Sequence, residues 1–232
     1  MTDSFQPLLI AMATFVIGHF ILASLPVRQA LIGMIGANGF RILFSIFALA
    51  TLVWAVRAYI AAPYAELWVQ TAALRHIPAM VMPLACILAV AGVSTRNVTS
   101  VGGETMTTEE SSARGIVTVT RHPLMWGFAL WALAHLGPNG DAASVIFFGG
   151  LALLSLAGMA HIDHRRQVTM GSNWGPMALT TSVVPFLAYM QGRTKIDWKG
   201  IGLARLAMGI ALYALLLMGH EWAIGVSPMP MG

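Results

Sequence analysis

The chain has very little charge and almost no cysteine. Asp, Glu, Lys and Arg make up 9% of its 232 residues, against about 25% in a soluble domain. So few charges cannot cover a water-facing surface, and the 57% apolar content is far above that of a chain that stays disordered. Soluble globular and disordered classes are both excluded. The one cysteine, Cys86, rules out an intrachain disulfide framework. Set in the run Leu84-Ala85-Cys86-Ile87, it reads as a small packed residue. Also missing are a Gly-rich phosphate loop, a Gly-x-Ser-x-Gly elbow and a His-Glu-x-x-His pair. The N-terminus lacks the basic stretch and cleavage site of a signal peptide, with Asp3 where a Lys or Arg would stand. The first apolar run is therefore expected to remain as an anchor.

What is present is a series of long apolar runs separated by polar breaks, the pattern of membrane-spanning helices. Six are expected, over residues 5–25, 40–61, 76–93, 123–136, 142–160 and 201–220. This is an all-α polytopic transmembrane bundle forming one domain over residues 1–232. The fourth run is short for a bilayer and could be extended by residues 116–120. The connections after runs one, three and five hold Arg28, Arg41, Arg96, Arg114, Arg121, Arg165, Arg166, Arg193, Lys195, Lys199 and Arg205, eleven of the thirteen basic residues. The other side holds Arg57 and Arg75. That asymmetry places the three connections in the cytoplasm and both termini on the non-cytoplasmic side of an inner membrane. It accounts for the net charge of +4 without nucleic acid, since no basic patch is interleaved with aromatics.

Two connections are long. Residues 94–120 are rich in Ser, Thr and Gly, and Thr107-x-x-Glu110 suggests a capping box. Asn97-Val98-Thr99 is a glycosylation sequon that should be silent in the cytoplasm. Within residues 161–199, Ser182-Val-Val-Pro185-Phe186-Leu-Ala-Tyr189 suits a segment in the membrane interface.

In so apolar a chain the informative residues are ionisable groups at membrane depth, because placing them there costs free energy unless they are paired or functional. His19 lies well inside the first run, after Gly18, which would admit a neighbouring helix or a flat cofactor. It reads either as an interhelical hydrogen bond to a carbonyl or as a metal or haem ligand. His76, His135 and His220 fall near the outer ends of runs, and His122, His161 and His164 near the cytoplasmic ends. Paired neutral imidazoles on facing helices can hold a haem iron axially. With no Cys-x-x-Cys-His, any haem would be b-type. Thr120-Arg121-His122-Pro123 opens a helix with proline at its first position, so Arg121, the free backbone donors and the helix dipole together favour an anion. Haem propionates and the carboxylate of S-adenosylmethionine both qualify, and so does a plain capped helix start.

Several stretches resemble the NnrU family of membrane proteins. They are Gly18-His19-Phe20 through Arg28, Gly39-Phe40-Arg41-Ile-Leu-Phe44, Thr120-Arg121-His122-Pro123-x-x-x-Gly127-x-x-x-Trp131-x-x-x-His135, and Thr181-Ser182-Val183-Val184-Pro185-Phe186 through Gly192-Arg193. The family includes bacterial proteins linked to denitrification and a plant carotenoid isomerase. The resemblance implies haem b, with His19 and His135 as axial ligands, His76 as a reserve, and Arg121 and His122 toward the cofactor. Where the isomerase has a cysteine three residues before the second histidine, this chain has Ala132. By depth alone His19 and His135 stand apart, since His19 lies some 14 residues from the outer end of its run, about 20 Å. Three functional readings follow. One is a haem-binding membrane protein acting in nitric-oxide-linked redox physiology or on a lipophilic polyene. Another is a methyltransferase similar to the isoprenylcysteine carboxyl methyltransferases, with S-adenosylmethionine held by Arg121 and His122. The last is a non-catalytic subunit or assembly factor of a membrane complex, surrounded by membrane lipids, with Gly33, Gly36, Gly39, Gly149 and Gly150 offering close helix contacts to a partner.

Overall fold

The structure is a computed structural model that describes residues 4–100, 103 and 113–229. Six apolar helices form the bundle: α1 (Gln6–Ala23), α2 (Leu25–Ile60), α3 (Ala72–Ser94), α4 (Pro123–Leu136), α5 (Ala142–Met170) and, last in the chain, α9 (Leu203–Ile224). Short helices α6 (Trp174–Thr180), α7 (Leu187–Met190) and α8 (Trp198–Ile201) lie between α5 and α9. Five of the six are long and apolar enough to cross a membrane. At 14 residues α4 is the short one, about 21 Å at helical rise against a hydrocarbon core of about 30 Å. Residues 116–120 do not lengthen it. Gly115–Thr118 forms a buried 3-10 turn, and the chain breaks at Thr120–His122 before the proline-led start of α4.

The six expected runs are thus present, with one difference in the second. No loop separates α1 from α2; Ser24 alone leaves the helical region, and α2 begins at once. Gly36, at φ 73° and ψ 167°, then bends the chain, a conformation only glycine adopts without strain. The part of α2 after this bend packs back along α1, where a side chain at Gly18 would meet the Phe47 ring. The close approach expected at Gly18 is therefore made by an aromatic ring of the chain itself.

Helix α3 packs against α4 and α9, and α5 against α4 and α1. A membrane interior supplies little hydrophobic drive between helices, so small residues that let backbones touch do the work. A Cβ at Gly127 would sit 2.9 Å from the Ala85 carbonyl oxygen, one at Gly92 2.6 Å from the Leu124 nitrogen, and one at Gly209 2.6 Å from the Ile87 Cα. Gly150 instead meets the end of the Met12 side chain, whereas Gly33, Gly36 and Gly149 face open space. Pro83 inside α3 removes the donor that would satisfy the Ala79 carbonyl, and the Tyr213 hydroxyl of α9 donates to that oxygen at 3.4 Å.

Alternate connections gather at opposite ends of the bundle. At one end Arg165 donates to the Ala23 carbonyl that closes α1, Arg166 to Ser100 after α3, and Arg205 to Ser94. At the other, the loop after α2 pairs with the loop after α4 through Leu67 N–H to Gly140 O and Ala142 N–H to Ala65 O. The first of these is called the basic end below. Among the described residues there is no strand, only an isolated bridge between Glu66 and Asp141. The expected capping box at Thr107 and Glu110 lies outside the described residues. Asn97 is buried in a turn in which its Oδ1 accepts from the Thr99 N–H at 2.9 Å and hydroxyl at 2.6 Å.

Candidate functional site

Two groups of polar residues stand out, and α4 contributes to both. The first surrounds its N-terminus. The Asp163 carboxylate of α5 faces His122 Nε2 at 2.8 Å through one oxygen and Arg121 Nε at 3.1 Å through the other. The Arg121 guanidinium lies over the Trp174 ring at 5.4 Å and donates to the Thr181 hydroxyl at 3.3 Å. Around it the backbone before α4 is stitched to residues 181–186. Arg121 N–H donates to Ser182 O, Phe186 N–H to Val119 O, and both the Thr120 hydroxyl and the Trp126 indole to Val183 O. Arg193 completes the join by donating to the last carbonyls of α6, at Ala178, Leu179 and Thr181. Burial pulls the Arg121 guanidinium below its ordinary value, Asp163 opposes that and Arg193 adds to it. Arg121 is 9% exposed and His122 2%, and neither lines the cleft described next. The anion favoured by this helix start is present, and it belongs to the chain.

The second group lines a cleft of about 1810 Å³ that runs between the helices, larger than the roughly 300–1,000 Å³ of a drug-sized pocket. His19 and His135 both line it. The His19 ring lies 4.4 Å from Phe15, 5.2 Å from Phe44 and 6.0 Å from Phe47. The His135 ring lies 5.3 Å from both Trp131 and Phe148, stacked on the latter. Phe15 and Phe148 are members of one buried cluster, with Trp131 packed against it. The two side chains also lean toward each other along the bundle axis. Side chains on a helix lean toward its N-terminus. α1 ends at the basic end and α4 begins there, so His19 leans away from that end and His135 toward it.

Each ring is also held in one sense. His19 Nδ1 donates to the Phe15 carbonyl at 2.5 Å and His135 Nδ1 to the Trp131 carbonyl at 2.7 Å, four residues back in both helices. An Nδ1–H committed to a carbonyl leaves the lone pair on Nε2, as in metal-ligating histidines. The hydrogen bond at His19 is thus within its own helix rather than between helices. Two imidazoles set in aromatic walls fit the axial donor set of haem b. Among the described residues there is no cluster of three or more His, Cys, Asp or Glu that would hold a bare metal ion.

The other expected residues fall outside this pair. His76 is exposed at the start of α3, donates to the Ala72 carbonyl at 2.7 Å, and does not line the cleft. His164 is exposed on α5. His161 and His220 do line the cleft. Sequence reasoning missed Tyr59, whose ring stacks on Phe147 at 4.8 Å. Its hydroxyl donates to Ser144 at 2.8 Å, and Ser144 in turn donates to Asp141 at 2.6 Å. It also missed Phe147 and Phe148, and Arg41 and Arg165 on the cleft wall. Asp141 before Ser144, three residues apart, was a readable helix cap, but the bond from Ser144 to Tyr59 spans 85 residues.

Comparison with known proteins places these features in context. A family profile described as "NnrU protein" matches residues 7–228. The 15-cis-zeta-carotene isomerase of Zea mays is 37% identical over 82 residues, covering 35% of this chain and 22% of that protein. The Arabidopsis thaliana enzyme of the same name is 35% identical over 79 residues, 34% of this chain and 22% of its own length. The aligned stretch thus spans about a fifth of the length of these chloroplastic relatives. No solved structure matches.

Proposed function

The chain belongs to the NnrU family of multi-pass membrane proteins, and from that premise we propose that its cleft binds haem b between His19 and His135 and admits an elongated lipophilic ligand. The observation that carries the reading is the pair of cleft-lining imidazoles, each with Nδ1 committed to its own helix and Nε2 left for a ligand. The aromatic walls from Phe15, Phe44, Trp131 and Phe148 suit a macrocycle or a polyene alike. Bound haem would supply an iron centre able to change oxidation state, suited to isomerisation of a carotenoid-like polyene or to nitric-oxide-linked redox physiology. The chain's own part is to hold the two imidazoles in one tautomer, to exclude water with the aromatic wall, and to present Tyr59, its hydroxyl tied through Ser144 to Asp141. The positive-inside asymmetry supports a cytoplasmic basic end, with both termini on the other side.

Geometry does not favour the methyltransferase reading, because Asp163 already occupies the donors that the carboxylate of S-adenosylmethionine would need. An absorbance spectrum of the purified protein tests the haem proposal. A Soret band is expected, shifted or lost in both His19→Ala and His135→Ala. A protein with no Soret band and no haem by pyridine extraction would end this reading.

A further inference from the structure

The six long helices form an open ring. α2 packs on α1, α1 on α5, α5 on α4, α4 on α3 and α3 on α9, and α2 also touches α5. Among the described residues the two ends of that series, α2 and α9, share no packing interface. The apolar side chains divide in the same way. One cluster joins α1, the later part of α2 and α5 through Phe15, Ala55 and Phe147. Another joins Met82 and Cys86 of α3 to Leu212 and Tyr213 of α9. Trp131 of α4 packs against both clusters, and the cleft between them is lined by all six helices. On the α2 side Ser45, Val56 and Ile60 line the cleft and are nevertheless exposed, as are Leu215, Leu216 and Trp222 on the α9 side. The cleft-lining residues of α1 and α5 are buried or half-buried. The cleft is therefore walled by α1 and α5 at its back and open between α2 and α9.

What lies outside that gap follows from its rims. Both α2 and α9 are long and apolar enough to cross a membrane, so the space between them faces hydrocarbon and not water. No Asp, Glu, Lys or Arg is among the cleft-lining residues from Phe44 to Ile60 of α2 or from Leu212 to Ile224 of α9. An apolar molecule dissolved in the bilayer crosses such a gap without shedding water, whereas a charged one would have to be desolvated first. We propose that the gap between α2 and α9 is a lateral doorway, through which a neutral, elongated, lipid-soluble molecule enters and leaves the cleft directly from the bilayer. The inference rests on the proposed function only in that the cleft binds a lipophilic ligand, and it needs no iron.

The test follows loading and release of two neutral, achiral probes, β-carotene and retinyl acetate, by the purified full chain in detergent. Neither probe has circular dichroism when free, so an induced band in its own absorption reports the bound molecule alone. Ser45→Trp and Gly219→Trp put bulk on the two rims, the first at an exposed position and the second where a Cβ meets nothing within 4 Å. Gly149→Trp, equally open but outside the cleft, is the control. The wild type is expected to load at least one probe. The double rim variant should slow loading and release alike, about tenfold, with affinity changed less than about threefold, because a blocked path alters both rates and spares their ratio. Each single rim variant should slow both rates in part, which guards against misfolding of the double variant, and Gly149→Trp should exchange as the wild type does. Rim variants that exchange at the wild-type rate overturn the doorway and leave the cleft as a binding site. Rim variants that release the probe faster also overturn it, since lost contacts and not a closed path would then be responsible. A wild type that runs as two chains in detergent, and as one in the double variant, would assign the gap to a second copy and overturn the doorway as well. No induced band with either probe in the wild type ends the lipophilic-ligand reading and the doorway together.

Discussion

Helix α4 carries a histidine near each end, and the two ends use them in opposite ways. At the start, His122 is buried and meets Asp163, whose second oxygen takes Arg121. Thirteen residues on, His135 bonds only to the carbonyl of its own helix at Trp131 and looks into a cleft with no described carboxylate on its wall. One end closes its polar groups on each other and holds α4, α5 and residues 181–186 together. The other leaves a lone pair facing space. Placing a charge or an imidazole in a membrane protein costs free energy at either end, but that cost is met by a paired charge at the first end and only by the Trp131 carbonyl at the second. A short motif rich in charged residues can therefore be structural, while an isolated histidine in an apolar helix can line a cleft.

Substitutions can break this comparison, beginning with the largest expected effect. Asp163→Ala leaves the buried Arg121 without its counter-charge and should cost about 3–5 kcal/mol, read as a lower thermal midpoint in detergent. Whatever protein folds should keep its ligand spectrum; a variant as stable as wild type would show that the clamp holds nothing. Gly127→Leu forces a side chain against the Ala85 carbonyl, where even a Cβ would stand at 2.9 Å. Separating α3 from α4 should cost about 1–3 kcal/mol or more, and because α4 carries His135 the midpoint and the ligand spectrum should fall together. His135→Ala should cost only about 1 kcal/mol and yet abolish or shift haem absorbance, the reverse of Asp163→Ala. Should the two variants change midpoint and spectrum in the same proportion, the division between clamp and cleft fails.

The smallest effect concerns acid. Asp197 accepts from the Gly115 and Gly200 N–H groups, both at 2.8 Å, which holds its carboxyl below the usual range. A carboxyl lowered by folding stabilises the fold above its unfolded value near 3.9 and loses that contribution as pH falls through the folded value. Asp197→Asn should therefore lower the midpoint slightly at pH 7 and flatten its acid limb below about 4, the two proteins converging in acid. An unchanged acid limb would assign the acid sensitivity to other groups.

Much of the fold was legible in the sequence. Six apolar runs became six helices, since run length and the absence of charge are local properties. The merging of the first connection into α2 was less visible, because Gly36 bends the helix through a backbone angle that no hydropathy pattern records. His19 and His135 could be named as candidates because an imidazole inside an apolar run stands out. The partner of Arg121 could not, although Asp163 was in view, because the two are 42 residues apart and only packing of α5 against the start of α4 joins them. Tyr59 was hidden for the same reason, its link to Ser144 and Asp141 running between helices.

The amino-acid order alone determined that the chain lives in a bilayer, how many long apolar helices it has, and which connections share an end. Each follows from apolar length and from the placing of a few charges. Only the tertiary structure decided which polar residues pair with one another and which line the cleft. Neighbours in sequence such as Arg121 and His122 carry the chemistry of an anion site whether or not Asp163 reaches them. Whether the anion is the chain's own or a ligand's depends on distances between helices, and those are set by packing at residues such as Gly127 and Gly92, far from the charges themselves.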